Sequence, residues 1–243
     1  MYIFLISIAL VILHISGQMI RFMSGYNEID SLAPLFKKGI KKGILLFNLE
    51  EEKNIPTLWS SFLAFFGSLL SLICAKQKDS KQTQKYWFGL FFIFTFIAID
   101  EIIELHEATI RPLRDALGTS GLLYYAWTIP FGLLALVIGI IYLRFLFRVD
   151  PKIRNLFIFS GVLYVTGAIG LELFEGQIRE QGGYMNVSYV TLVTIEEFFE
   201  MSGLGLFIYT VLNYIKSSIQ TVTIKIYDQN GDSTNRLESQ SNQ

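Results

Sequence analysis

Residues 86–107 read Y-W-F-G-L-F-F-I-F-T-F-I-A-I-D-E-I-I-E-L-H-E, an uncharged apolar run that ends in a burst of acids. A helix needs about 20 such residues to cross a hydrocarbon core, and the charges here stand at only one end of the crossing. Five further stretches share this length and character: Tyr2 to Phe22, Thr57 to Ala75, Leu123 to Phe147, Ile153 to Glu175 and Tyr189 to Ile215. With 52% hydrophobic residues and a mean hydropathy of +0.45 over 243 residues, the chain is expected to be all-α, a polytopic membrane bundle of about six transmembrane helices. One domain should cover residues 1–216. The remainder, 217–243, is polar and expected to be disordered from about Asp228, after a short strand-like alternation from Thr221 to Tyr227 that has no partner strand.

The first run has no Lys or Arg before it and no clear small-residue cleavage site, so we read it as a retained helix and not a secretory signal. His14, Gln18 and Arg21, at i, i+4 and i+7, give that helix a polar stripe. The lone Cys74 excludes an intramolecular disulfide and any C-x-x-C metal pattern. The net charge of −1 makes no case for a nucleic-acid partner; the partners expected are the lipid bilayer and metal ions.

Basic residues orient such a bundle. Lys76, Lys78, Lys81 and Lys85, then Arg144, Arg148, Lys152 and Arg154, then Lys216, Lys225 and Arg236 fall on one side and predict cytoplasmic termini. The first loop, residues 24–56, disagrees, because Lys37, Lys38, Lys41, Lys42 and Lys53 would lie outside. Its K-K-G-I-K-K-G-I-L-L-F stretch reads two ways, as a short helix on the membrane surface or as a solvated loop.

The chemistry lies in the acids. Glutamates stand three apart at Glu101/Glu104, Glu104/Glu107, Glu172/Glu175 and Glu197/Glu200, a spacing that sets both carboxylates on one side of a helix. Ionisable groups in spanning segments face a protein interior or a water-filled cavity, so the recurrence points to one shared pocket. On a continuous third helix, Asp100, Glu101, Glu104 and Glu107 span about 120° while His106 points away, and it joins the site only if the helix end unwinds or another helix wraps around it. Glu196, Glu200 and Gly203 share a face of the sixth helix, with Glu197 to the side. Glu175 and Arg179 read as an i, i+4 ion pair, and Gly161, Gly167, Ala168 and Gly170 as sites of close helix packing.

Nine acids, Asp100, Glu101, Glu104, Glu107, Glu172, Glu175, Glu196, Glu197 and Glu200, face four arginines, Arg21, Arg111, Arg114 and Arg179. Five unpaired carboxylates in lipid would cost more than about 12 kcal/mol at roughly 2.5–3.5 kcal/mol each, so bound cations, retained protons or water must neutralise or hydrate them. We expect a divalent metal site of one or two ions, iron, manganese, magnesium or calcium, held by these nine acids with His106 as a further candidate ligand, since an oxygen-dominated shell suits such ions.

Known families help by exclusion. A three-histidine zinc site, as in membrane ceramidase-like hydrolases, cannot be built from His14 and His106. The E-x-x-E units lack the leading arginine of the iron permeases, and neither histidine follows a glutamate by three residues as in ferritin-like di-iron proteins. Through N-I-P-T-L-W-S-S at Asn54 to Ser61, D-E-I-I-E-L-H-E at Asp100 to Glu107 and E-E-F-F-E at Glu196 to Glu200, the chain resembles a family of uncharacterised bacterial six-helix integral membrane proteins. That resemblance implies a bacterial inner membrane and carries no activity. Two function classes follow from the residues: a metal-dependent membrane enzyme acting on a lipid-soluble or extracytoplasmic substrate, and a cation or proton transporter or channel. The displacement of the acids toward one surface and the lack of related halves favour the first.

Overall fold

The structure, a computed structural model, describes residues 2–23, 34–77, 80–182 and 187–218. The expected strand and disorder after residue 218 therefore lie outside the described residues. Within them every regular element is helical: α1 (Tyr2–Met23), α2 (Pro34–Leu46), α3 (Ile55–Ala75), α4 (Lys81–Ile103), α5 (Leu105–Leu117), α6 (Thr128–Leu146), α7 (Pro151–Val165), α8 (Glu172–Glu180) and α9 (Val187–Ser218). A π-helical segment, Thr166–Leu171, joins α7 to α8, and a 3-10 turn, Gly121–Leu123, precedes α6. Among the described residues, six stretches are long and apolar enough to cross a membrane: α1, α3, α4, α6, the continuous Pro151–Glu180, and α9.

Local chemistry sets the starts. The Asn54 carboxamide oxygen accepts from Thr57 N at 3.2 Å, with Pro56 in the first turn of α3. Ser80 accepts from Thr83 N at 3.2 Å, and Asp150 from Lys152 N at 2.8 Å ahead of Pro151. Each cap satisfies a backbone N–H that the helix itself leaves unpaired.

One expectation is corrected. The third span does not run to Glu107: α4 stops at Ile103, Glu104 takes a left-handed φ of 56°, and α5 sets off separately. The D-E-I-I-E-L-H-E motif therefore straddles two helices, and the single-helix arrangement of its acids does not hold. The lysine-rich stretch of the first loop is helical, α2, which decides its secondary structure.

At the centre, α9 packs against α7, α3 and α1, and α3 packs along α4. Met201, Leu204, Ile208 and Val211 of α9 are fully buried. Apolar attraction between helices is weak in lipid, so small and hydroxylated residues carry the close contacts. Ser61 Oγ donates to Ala98 O at 2.7 Å, Ser68 Oγ meets Thr95 Oγ1 at 2.7 Å, and Ser160 Oγ donates to Gly203 O at 3.1 Å. Gly167 and Gly203 allow close backbone approach: a Cβ at Gly167 would stand 2.9 Å from Glu196 O, and one at Gly203 2.9 Å from Tyr164 N. A Cβ at Gly161 would meet nothing within 4 Å, and one at Gly170 only ordinary contacts, so those two lie away from close packing.

Helix α6 is the least buried span, packing sparsely on α4 and α7. It is tied at its C-terminal end, where Tyr142 OH donates to Tyr86 O at 2.8 Å and Phe145 enters an aromatic cluster. There Trp87 lies 5.4 Å from Phe145, 6.0 Å from Phe157 and 4.8 Å from Tyr214, ring centre to ring centre. This plug closes one end of the bundle. The acids gather at the other.

Candidate functional site

A cavity of about 1600 Å³ runs down the bundle between α4, α6, α7 and α9. Its body is apolar, with Phe94, Ile97, Phe131, Ile138, Phe157 and Phe207 among its walls. All ten residues read from the sequence as ligands line its polar end: Asp100, Glu101, Glu104, His106 and Glu107 from the α4–α5 break, Glu172 and Glu175 from α8, and Glu196, Glu197 and Glu200 from α9. Arg21, Arg111, Arg114 and Arg179 line it as well. Glu107 is exposed, whereas Glu175 and Glu196 are only 3% and 9% exposed.

The first loop supplies what the sequence reading missed, namely Glu50, Glu51, Glu52 and Lys53. The polar stripe of α1 holds this loop in place. His14 Nδ1 accepts from Leu49 N at 3.0 Å, and Gln18 Nε2 donates to Asn48 Oδ1 at 2.7 Å. Asn54 Nδ2 closes the turn onto Asn48 O at 2.6 Å. Glu50 thereby lies between two arginines, 3.8 Å from Arg21 and 3.7 Å from Arg179. Arg179 thus reaches across to Glu50, in place of the local pair with Glu175 expected from i, i+4 spacing. A buried polar stripe on α1 demands partners, and that demand was the signal that could have directed attention to the loop.

Burial raises the Glu50 carboxyl even though both guanidiniums oppose the shift. Burial also lifts Glu52 to about 7, outweighing the hydrogen bond donated by Thr57 Oγ1 at 3.0 Å. The αL residues Lys53 and Glu104 pair with one another, Nζ to Oε1 at 2.7 Å. A non-glycine residue in that region costs of order 1 kcal/mol, and here the two tie the loop directly to the α4–α5 break.

The break brings His106 back into the site. Asp100 Oδ2 holds His106 Nδ1 at 2.7 Å, and its Oδ1 accepts from His106 N at 3.1 Å, so one carboxylate caps the first turn of α5 and fixes the ring. Burial disfavours the imidazolium, but the hydrogen bond and charge of Asp100, then Glu172 and Glu107, overcome it and lift His106 to about 9. The ring lies tilted beside Trp127, centre to centre 4.8 Å, and Trp127 Nε1 donates to Glu172 Oε1 at 3.1 Å.

The remaining acids fall into two groups. Glu101 from α4 and Glu197 and Glu200 from α9 share one stretch of the cavity lining. Glu172, Glu175 and Glu196 lie between α8 and α9, with the Glu196 carboxyl within hydrogen-bonding reach of both partners. The π-helical segment just before Glu172 widens the backbone where Gly167 meets α9, and so aims α8 at this group. Among the described residues, no three His, Cys, Asp or Glu side chains converge closely enough to hold a metal ion as they stand.

A family model described as Domain of unknown function (DUF8692) matches residues 5–214, the whole of the helical bundle but its outermost ends. No curated protein and no solved structure matches the chain.

Proposed function

The chain belongs to the DUF8692 family, a description that brings no activity with it, and from its own cavity we propose a membrane enzyme that takes a lipid-soluble substrate sideways from the bilayer and works on it at a carboxylate-held divalent ion. One observation carries this reading: a single cavity of about 1600 Å³ joins the acids to apolar walls within the spanning helices. Pockets for small molecules measure roughly 300–1,000 Å³, so this one has room for a lipid chain. The sparse packing of α6 on α4 and α7 supplies the side opening.

The ion is supported by charge. Twelve Asp and Glu line the cavity against five Lys and Arg, an excess of seven. Glu101, Glu197 and Glu200 are the preferred ligands, because the loop and Asp100 already engage the neighbours: Glu104 is held by Lys53 and His106 by Asp100. An ion there would draw the three carboxylates together and supply a Lewis acid or an activated water. We place this end of the cavity outside the cytoplasm, with the ends of α1 and α9 remote from it on the cytoplasmic side.

The transporter reading is weaker because of the aromatic plug. Trp87, Phe145, Phe157 and Tyr214 close the far end with packed rings, which favours a one-ended binding site over a route through the membrane. Metal analysis of detergent-purified protein tests the proposal. Wild type should carry stoichiometric divalent metal, and Glu101→Gln with Glu200→Gln, which removes two charges with little change of shape, should lose it while staying folded. Wild type that contains no metal and gains no thermal stability from iron, manganese, magnesium or calcium would overturn the ion and leave protons as the neutralising species.

A further inference from the structure

The second acidic group has a different character from the first. Glu175 is 3% exposed, lines the cavity, and its Oε1 has no hydrogen-bond donor. An ionised carboxylate only accepts, and a buried acceptor left without a donor costs about 1–3 kcal/mol. The chain's nearby donors are already engaged, Trp127 Nε1 on Glu172 and Arg179 on Glu50. Tyr125 OH and Tyr189 OH lie 3.4 Å apart, and both side chains belong to the same wall as Glu175. The two nearest cations are held elsewhere, His106 on Asp100 and Arg179 on Glu50, so neither donates to Glu175 Oε1, and the apolar residues of the cavity share its lining.

We propose that Glu172, Glu175 and Glu196 bind the ammonium of a long-chain primary amine whose alkyl chain occupies the apolar body. This names the substrate class and rests on the lipid-accessible cavity proposed above. A primary ammonium offers three N–H donors to the oxygens of these three carboxyls. A quaternary ammonium has none, so it leaves Glu175 Oε1 unsatisfied however well it suits the aromatic wall. A head group with a phosphate or carboxylate meets the excess of seven acids lining the cavity and is repelled. An alcohol donates one hydrogen bond and leaves the charge uncompensated.

The test is a head-group series at constant chain length: hexadecylamine, hexadecyltrimethylammonium, hexadecanol and hexadecanoate, titrated calorimetrically into the full-length protein in neutral-lipid nanodiscs at pH 7.5. Hexadecylamine should bind saturably at one per chain and at least about tenfold more tightly than the other three, the equivalent of one well-made charged hydrogen bond. Glu175→Gln should abolish that preference, and Glu101→Gln, in the other acidic group, should keep it. Equal affinity for amine and alcohol overturns the amine while leaving the cavity reading intact. Absence of saturable binding by any of the four overturns both. The wild-type series decides between these outcomes even if Glu175→Gln does not fold, and an amine preference that survives in a folded Glu175→Gln variant also overturns the assignment.

Discussion

Glu52 shows how a loop residue acquires the electrostatics of a membrane interior. Its sequence context, E-E-E-K, reads as a solvated charge run, but the His14 and Gln18 contacts fold the loop over the cavity and half-bury it. Burial lifts the carboxyl from 4.5 to about 7. A folded-state pKa above the unfolded value means that the fold binds the proton more tightly, so the stabilising contribution is complete below about pH 4.5 and disappears as pH rises through about 7. In metal-free protein, Glu52→Gln should therefore raise Tm relative to wild type at pH 8 and not at pH 5. A Tm difference that is the same at both values would show that Glu52 is ionised in the fold throughout. The same logic of placement applies to His106, where Asp100 serves at once as a helix cap and as a counter-ion.

At the scale of elements, the junction of α7, the π-helical segment and α9 fixes the geometry of the acids. Gly203 lets the Tyr164 backbone approach, and Gly167 lets α9 approach at Glu196 O. Gly203→Ala adds a methyl 2.9 Å from a backbone nitrogen that cannot swing aside, which should destabilise the protein by about 1–3 kcal/mol. Gly161→Ala, on α7 with open space around it, should stay within about 0.5 kcal/mol of wild type. Thermal unfolding of both variants in one detergent checks the contrast, and equal losses would place the tight junction elsewhere. The broken end of α4 is the other decisive element. Glu104 in the αL conformation turns a helix that would carry His106 away from the acids into two helices that carry it back.

Over the whole molecule, charge is segregated along the bundle axis. The end with the aromatic plug carries Lys81, Lys85, Arg144, Arg148, Lys152 and Arg154, and the cavity end carries the acids. With the plug end cytoplasmic, a cysteine at Gln82 should resist a membrane-impermeant reagent in intact cells and one at Gln181 should react, both in a Cys74→Ala background. Labelling in the reverse sense would turn the cavity toward the cytoplasm without dispersing it. Lys53 lies at the cavity end and weakens the basic-residue rule for this chain.

Composition and apolar run length determined the helical membrane bundle, because a helix in hydrocarbon must satisfy its own backbone and about 20 apolar residues are needed to span it. The E-x-x-E spacing brought out carboxylates that now line one cavity, since lipid excludes them from every other face. What the tertiary structure alone decided was the division of those acids into two groups, the return of His106 through the break at Glu104, and the recruitment of Glu50, Glu52 and Lys53 from the first loop. Spacing along a chain orders residues within one continuous helix. Which loop a buried polar stripe captures, and where a helix ends in a left-handed residue, depend on partners 30 or more residues away, as Gln18 with Asn48 and His14 with Leu49 illustrate.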